Sequence, residues 1–323
     1  MAALFTTLVI AGCVGLAGVA RAADSSPTDR WDELRNEDLR VAMVAYRMSI
    51  GNAGLCRGRT APQFGFVIHA LGQYSAGERE KVAHRFGLGA LVGVMAVVPG
   101  SPAAHAGLVA DDQLIAVNDR DLRPLVVAPG EPTNAAVVAA QRILAAEFAK
   151  GPVTLRVASA TGDRTVRFSA EAGCPAIVEV VPGAAINAWA DGHSVVISAG
   201  LLRRCDRDED LALVIAHELS HNLLRHAERL ARGDAATNGL LRSPGAGSAQ
   251  IRETEEEADR LAAHLAIGAR YDLRGAVHFL GGLIAGAGLD RPDDTHPATA
   301  RRLALLSGAI ADAQSGRAGP ALP

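Results

Sequence analysis

Asp208-Glu209-Asp210-Leu211-Ala212-Leu213-Val214-Ile215-Ala216-His217-Glu218-Leu219-Ser220-His221 reads as a helix entering a core. Three acids suit its positive N-terminal end, and an unbroken apolar run follows. On a helix, residues four apart share a face, so His217 and His221 can reach one metal ion. Glu218, beside the first ligand, can then polarise a water at that ion and act as general base. The competing reading is two solvated or core histidines on an ordinary helix.

Two histidines need a third protein ligand, and a Glu from a second helix is the usual supplement. Glu253-Thr254-Glu255-Glu256-Glu257-Ala258-Asp259-Arg260-Leu261 offers it. Glu255 and Asp259 are spaced i, i+4, so Glu255 can bind the metal while Asp259 orients a ligand imidazole. Three consecutive Glu at a helix start would also form a solvated acidic turn. Downstream of the His pair, the ligand reading is preferred.

His217-Glu218-x-x-His221, then Glu255-x-x-Ala258-Asp259, then His296-Pro297 with Arg302 six residues after that His, resembles the gluzincin peptidases of the HtpX and CAAX-prenyl-protease family. Asn187-Ala188-Trp189-Ala190-Asp191-Gly192 followed by Val195-Val196-Ile197-Ser198 matches that family's lead-in, and the resemblance covers roughly residues 175–310. It implies one Zn2+ per chain on His217, His221 and Glu255, with Glu218 as base and acid. It also implies that His296 and Arg302 lie close to the metal, stabilising the oxyanion or gating the site. The integral-membrane members carry several spanning helices and this peptidase part has none, so the chain resembles the soluble, exported branch that handles proteins.

Residues 63–172 read differently. Leu91 to Val98 is a strand of buried type, Pro99 to Leu108 a turn with a one-turn helix, and Asp112 to Asp119 a strand ending in a hairpin. Residues 134–149 are helical, and 151–158 with 163–170 form a hairpin around Gly162-Asp163. This resembles a PDZ domain of the bacterial protease type, with Asp111 and Asp119 where glycines are usual. Asp tolerates a left-handed backbone. Phe86-Gly87-Leu88-Gly89 is the expected carboxylate loop, with a peptide adding as a strand beside residues 88–92. The alternative is a PDZ fold used only for packing.

The whole is thus expected to be α+β: a PDZ-like β-barrel or sandwich followed by a mainly helical gluzincin domain. The expected segments are 1–22 (export or anchor), 23–62 (a helix from Trp31 to about Met48, then linker), 63–172, 173–313, and a disordered tail over 314–323. In the peptidase part we expect strands at 176–181 and 193–198, a metal helix over about 207–230 and a second over 251–267. Val195 to Ser198 is either an edge strand that holds substrate or a core hairpin. Residues 232–250, small and Gly-rich, are either a lid or a connection. Residues 275–286 are too short to span a membrane and read as a buried helix. His226 reads as a supporting or core histidine, and His193, His264 and His278 as structural.

Composition is globular, with 49% hydrophobic and 21% charged residues. Net charge is −3 with no Lys/Arg cluster, which argues against a nucleic-acid partner. Residues 1–20 are almost wholly apolar. Ala20-Arg21-Ala22 resembles a signal cleavage site, Ile10-Ala11-Gly12-Cys13 a lipoprotein box, and the stretch could also serve as an uncleaved anchor. All three put the catalytic part outside the cytoplasm of a bacterium, in the periplasm or on the periplasmic face of a membrane. Export permits disulfides. Cys56 and Cys174 flank the middle module in loop-like sequence and are expected to pair, leaving Cys205 buried. Protein or peptide substrates, selected through their C-termini, are the expected partners. Two rivals stay open: a PDZ-based adaptor that does not cut, and a zinc used only as a structural staple.

Overall fold

The computed structural model describes residues 27–125, 130–237, 246–286 and 299–323. The expected export segment, His296 and the middle of the Gly-rich 232–250 stretch lie outside these residues. The described chain divides into two compact units, one of residues 27–46 and 60–173, the other of 47–59 and 174–323. The boundaries therefore differ from expectation. The first helix, α1 (Pro27–Gly51), belongs mostly to the sheet-rich unit, while the turns after it join the helical unit.

The sheet-rich unit runs β1 (Ala61–Gln63), β2 (Phe66–His69), α2 (Arg79–Phe86), β3 (Gly93–Val97), α3 (Pro102–His105), β4 (Gln113–Val117), β5 (Arg120–Asp121), α4 (Ala135–Phe148), β6 (Val153–Ser159), β7 (Gly162–Phe168) and β8 (Glu171–Gly173). Its main sheet is open, in order β2-β3-β4-β6-β7 with β5 beside β4; it is not a closed barrel. β1 and β8 pair separately, so the unit's first and last strands meet. Successive strand residues face opposite sides, and β3 shows the result. Val94 joins a core with Leu114, Val117, Leu155 and the α4 residues Ala140 and Leu144. Met95 joins a second core with Trp31, Val82, Phe86 and Leu88. α1 and α2 thus supply apolar side chains to the face opposite α4.

Local choices follow the sequence. Ser101 caps α3, its Oγ accepting from the Ala104 amide at 3.2 Å, with Pro102 at the first helical position. Asp111 takes the left-handed backbone (φ 72°), as its short side chain allows. At the β4–β5 turn that role falls to Asn118 (φ 48°), not to Asp119.

The helical unit contains β9 (Ile177–Val181), β10 (Ala188–Ala190), β11 (Ser194–Ser198), α5 (Ala199–Leu202), α6 (Asp208–Leu223), α7 (His226–Thr237), α8 (Ala246–Gly268), α9 (Ala276–Gly286) and α10 (Thr299–Gln314). β11 is the middle strand, parallel to β9 and antiparallel to β10. Leu211, Ile215 and Leu219 of α6 are buried, as are Ala258, Leu261, Ala262 and Leu265 of α8. The small residues on α8 let the two helices approach closely. Cys56 and Cys174 form a disulfide inside this unit, and Cys205, in the same unit, is buried.

Four expectations change here. The metal helix is not continuous to 230: it ends at Leu223, and Arg225 takes φ 56° before α7 begins. Residues 232–237 and 246–250 are helical and not loop. α9 buries Ala276 and Ile284 but leaves His278 and Gly282 exposed, so it is a surface helix. The tail is ordered along α8 and α10: Arg317 pairs with Asp312, and Gly319 lies against His264.

Candidate metal centre

α6 and α8 pack side by side, and α10 packs on α8. From α6, His217 and His221 project one turn apart; from α8, Glu255 faces both. His217 Nε2 and His221 Nε2 are 3.2 Å apart. Each is 3.5 Å from a Glu255 carboxylate oxygen. Ligands held about 2.1 Å from a tetrahedral ion stand roughly 3.4 Å from each other. The two ring nitrogens and the Glu255 carboxylate, which meets His217 through Oε2 and His221 through Oε1, therefore already stand at separations that suit such an ion. Among the described residues, these three form the metal-competent group, so a set of two imidazoles and a carboxylate fits a zinc-type ion.

The remaining polar atoms orient the ligands. Asp259, one turn beyond Glu255, accepts from His217 Nδ1 at 3.0 Å. Arg302 of α10 grips Asp259 with two nitrogens, at 2.8 and 2.7 Å, and approaches Glu255 at 3.4 Å with the third. That geometry alters the role expected for Arg302. Its fork is committed to two carboxylates, so it holds the third ligand and its helix in place and does not face an incoming carbonyl.

The charges agree with a cation site. Burial would push the His217 imidazole down, but its bonds to Asp259 and Glu255 outweigh burial and raise it to about 10. Burial lowers His221 to about 3, leaving a free lone pair. Glu255 is held well below the usual carboxylate range: burial opposes this, and His217, His221 and Arg302 prevail. A cation seated among them takes over the role of the His217 proton, as metal binding generally does. Glu218 stands apart from the ligands. Burial lifts its carboxyl to about 7, aided by Glu255 and opposed by His217, Arg302 and the Ala190 amide. A carboxylate poised near neutrality is what a general base and acid needs.

Asn222, immediately after the second ligand, ties the β10–β11 turn to α6. Its Oδ1 accepts from the Gly192 amide at 2.7 Å, and its Nδ2 donates to the Ser194 carbonyl at 2.9 Å. Asp191 tightens the same turn through His193 and Ser194. β10 is thereby fixed beside Glu218. β11 is flanked on both sides, so Val195 to Ser198 is not an edge; β10 and β9 are the edges, and β10 is the one beside Glu218.

The model of peptidase family M48 matches residues 157–240, and the model of a PDZ domain matches residues 93–126. Both matches support an M48 peptidase with a PDZ domain. The M48 match takes in both histidines and Glu218 but stops short of α8, so the third ligand rests on geometry. The PDZ match covers β3 through the residues after β5.

The carboxylate loop expected at Phe86-Gly87-Leu88-Gly89 is not one. Phe86 ends α2, Gly87 is its left-handed cap (φ 57°), and the Leu88 amide donates to Ala83. The Gly89 amide donates to the Gln113 side chain at 2.8 Å. Phe86 and Leu88 are buried in the second core. These amides are spoken for, and β3 has neighbours on both sides, so no peptide can add there. The sheet is open at β7 and, on its other side, at β2. α4 lies along it, with the Thr133 amide donating to Gly72 at one end and Phe148 stacking on Phe64 at the other.

Sequence reading missed Glu257, Arg229 and Asn222. Their contacts depend on where α7 and the β10–β11 turn lie, which no spacing within one helix reports.

Proposed function

We propose that this M48 peptidase is a zinc-dependent endopeptidase of the bacterial cell envelope whose PDZ domain selects protein substrates. The carrying observation is the His217–His221–Glu255 triangle, sized for a tetrahedral ion, with Glu218 beside it and not among its ligands. Bound zinc supplies a Lewis acid that polarises the scissile carbonyl and makes water more acidic. Glu218 takes the proton of the attacking water and passes it to the leaving amine. Asp259 and Arg302 keep His217 and Glu255 in register for this task.

An extended substrate chain pairs with the edge of β10, whose Ala190 lies next to Glu218. A peptide end adds beside β2, between that strand and α4, in the way open sheet edges accept strands. The Cys56–Cys174 disulfide supports an oxidising compartment, hence export. No described helix is long and apolar enough to cross a membrane, and attachment through the amino terminus belongs to the same proposal.

Glu218→Gln is the deciding experiment. Zinc content by mass spectrometry stays at one per chain, while cleavage products in an envelope proteome disappear. Unchanged cleavage by the variant removes the endopeptidase reading. A cellular role that survives it favours an adaptor.

A further inference from the structure

The two histidine ligands are backed by different partners. His217 meets a carboxylate directly, whereas His221 meets another imidazole. His221 Nδ1 lies 2.9 Å from Nδ1 of His226, and His226 Nε2 lies 3.0 Å from Glu257. Glu257 is in turn held by two nitrogens of Arg229, at 2.5 and 3.3 Å. The His226 side chain is 2% exposed, so water does not compete for these contacts.

Proton counting fixes every tautomer in this row. Two ring nitrogens in contact share one proton, so one donates and the other accepts. His226 Nε2 must donate, because a lone pair there would face the Glu257 carboxylate. Neutral His226 therefore presents a lone pair at Nδ1, which requires His221 to carry its proton on Nδ1. His221 Nε2 is left with its lone pair pointing at Glu255 and His217, the orientation a metal needs.

Backbone geometry was needed to build this row. On an unbroken helix residue 226 would sit about 140° around the axis from residue 221. The left-handed Arg225 breaks α6 and returns His226 to the His221 ring, with ring centroids 4.8 Å apart. A non-glycine residue in that conformation costs roughly 1 kcal/mol or more, and such costs persist where the surrounding structure demands them.

We propose that His226, set by Glu257 and Arg229, is a positioning residue that fixes the tautomer and ring plane of His221 as a metal ligand. The proposal rests on the metal-site reading above, and its test separates the two. Zinc affinity of the full chain is measured by competition with a chelating indicator, alongside the visible spectrum of the cobalt(II)-loaded protein. His226→Ala should bind zinc about 10- to 100-fold more weakly, the usual effect of losing such a partner, and should shift the cobalt bands. His226→Gln, whose amide offers an acceptor to His221 and a donor to Glu257, should recover most of the affinity.

Glu257→Gln guards against a folding artefact, because it is nearly isosteric. It should also weaken zinc binding while the melting temperature of the chelator-treated protein stays at the wild-type value. The positioning role is overturned if His226→Ala or Glu257→Gln binds zinc within about twofold of wild type. It is equally overturned if His226→Gln is no better than His226→Ala. Wild-type protein that binds no zinc overturns the proposed function itself.

Discussion

Arg302 illustrates how a single side chain changes meaning once its partners are known. Six residues after His296 in sequence, it reads as a donor waiting for a developing oxyanion, a contribution of about 3 kcal/mol to catalysis. In the fold it is buried and forked onto Asp259, with its last nitrogen toward Glu255. Removing it would strand a buried carboxylate, and breaking such a pair costs about 3–5 kcal/mol of stability. Arg302→Ala is therefore expected to unfold at markedly lower urea concentration, whereas an oxyanion donor would leave the urea midpoint untouched. His217, His221, Glu255 and Asp259 were legible in the sequence because each pair obeys the i, i+4 rule of a single helix. His226 was read only as a supporting or core histidine, without its partners, and Glu257 was not read at all, since a non-glycine left-handed residue at 225 leaves no mark in the sequence.

Among the elements, α1 is the one whose chemistry departs from its pattern. Its apolar spacing announced an amphipathic helix, and Trp31, Val41 and Ala45 are indeed buried. Asp38 lies one heptad from both Trp31 and Ala45 and so shares their face. Burial, with Glu37 adjacent, lifts its carboxyl to about 7. The folded state thus holds this proton more tightly than the unfolded chain, whose Asp releases it near 4. The contribution is harmless below about pH 4, and stability falls as pH rises toward 7, by at most about 1.4 kcal/mol per pH unit. Asp38→Asn should match wild type at pH 4 and exceed it progressively up to neutrality in urea titrations. A difference that is constant with pH would refute the assignment.

The peptide groove was misplaced for a related reason. Gly87 serves as a helix cap, and a glycine supplies the same backbone freedom to caps and to anion-binding loops. Sequence alone does not separate the two uses. The pairing order of the strands does, because β3 is flanked on both sides whereas β2 stands at an edge of the sheet.

At the scale of the whole chain, the main features of both architectures could be read in advance, but the way they are threaded could not. The polypeptide passes from one unit to the other after Tyr46, after Arg59 and after Gly173. Local periodicity is silent on such returns, because they depend on long-range pairing. The flanking position of Cys56 and Cys174 was the one sequence signal that pointed to them.

That crossing pattern governs what a single scission can do. Suppose a protease site is engineered into the exposed β6–β7 turn at Ala160-Thr161. The cut leaves an amino-terminal piece that includes Cys56 and a carboxyl-terminal piece that includes Cys174 and every ligand of the metal. The sulfur link keeps the pair as a two-chain molecule. On a denaturing gel it should run as one band without thiol and as two after reduction; two bands without thiol would show the bridge to be absent. Under oxidising conditions, clipping within the sheet-rich unit would therefore leave a tethered two-chain molecule, and only a reductant could set its halves apart.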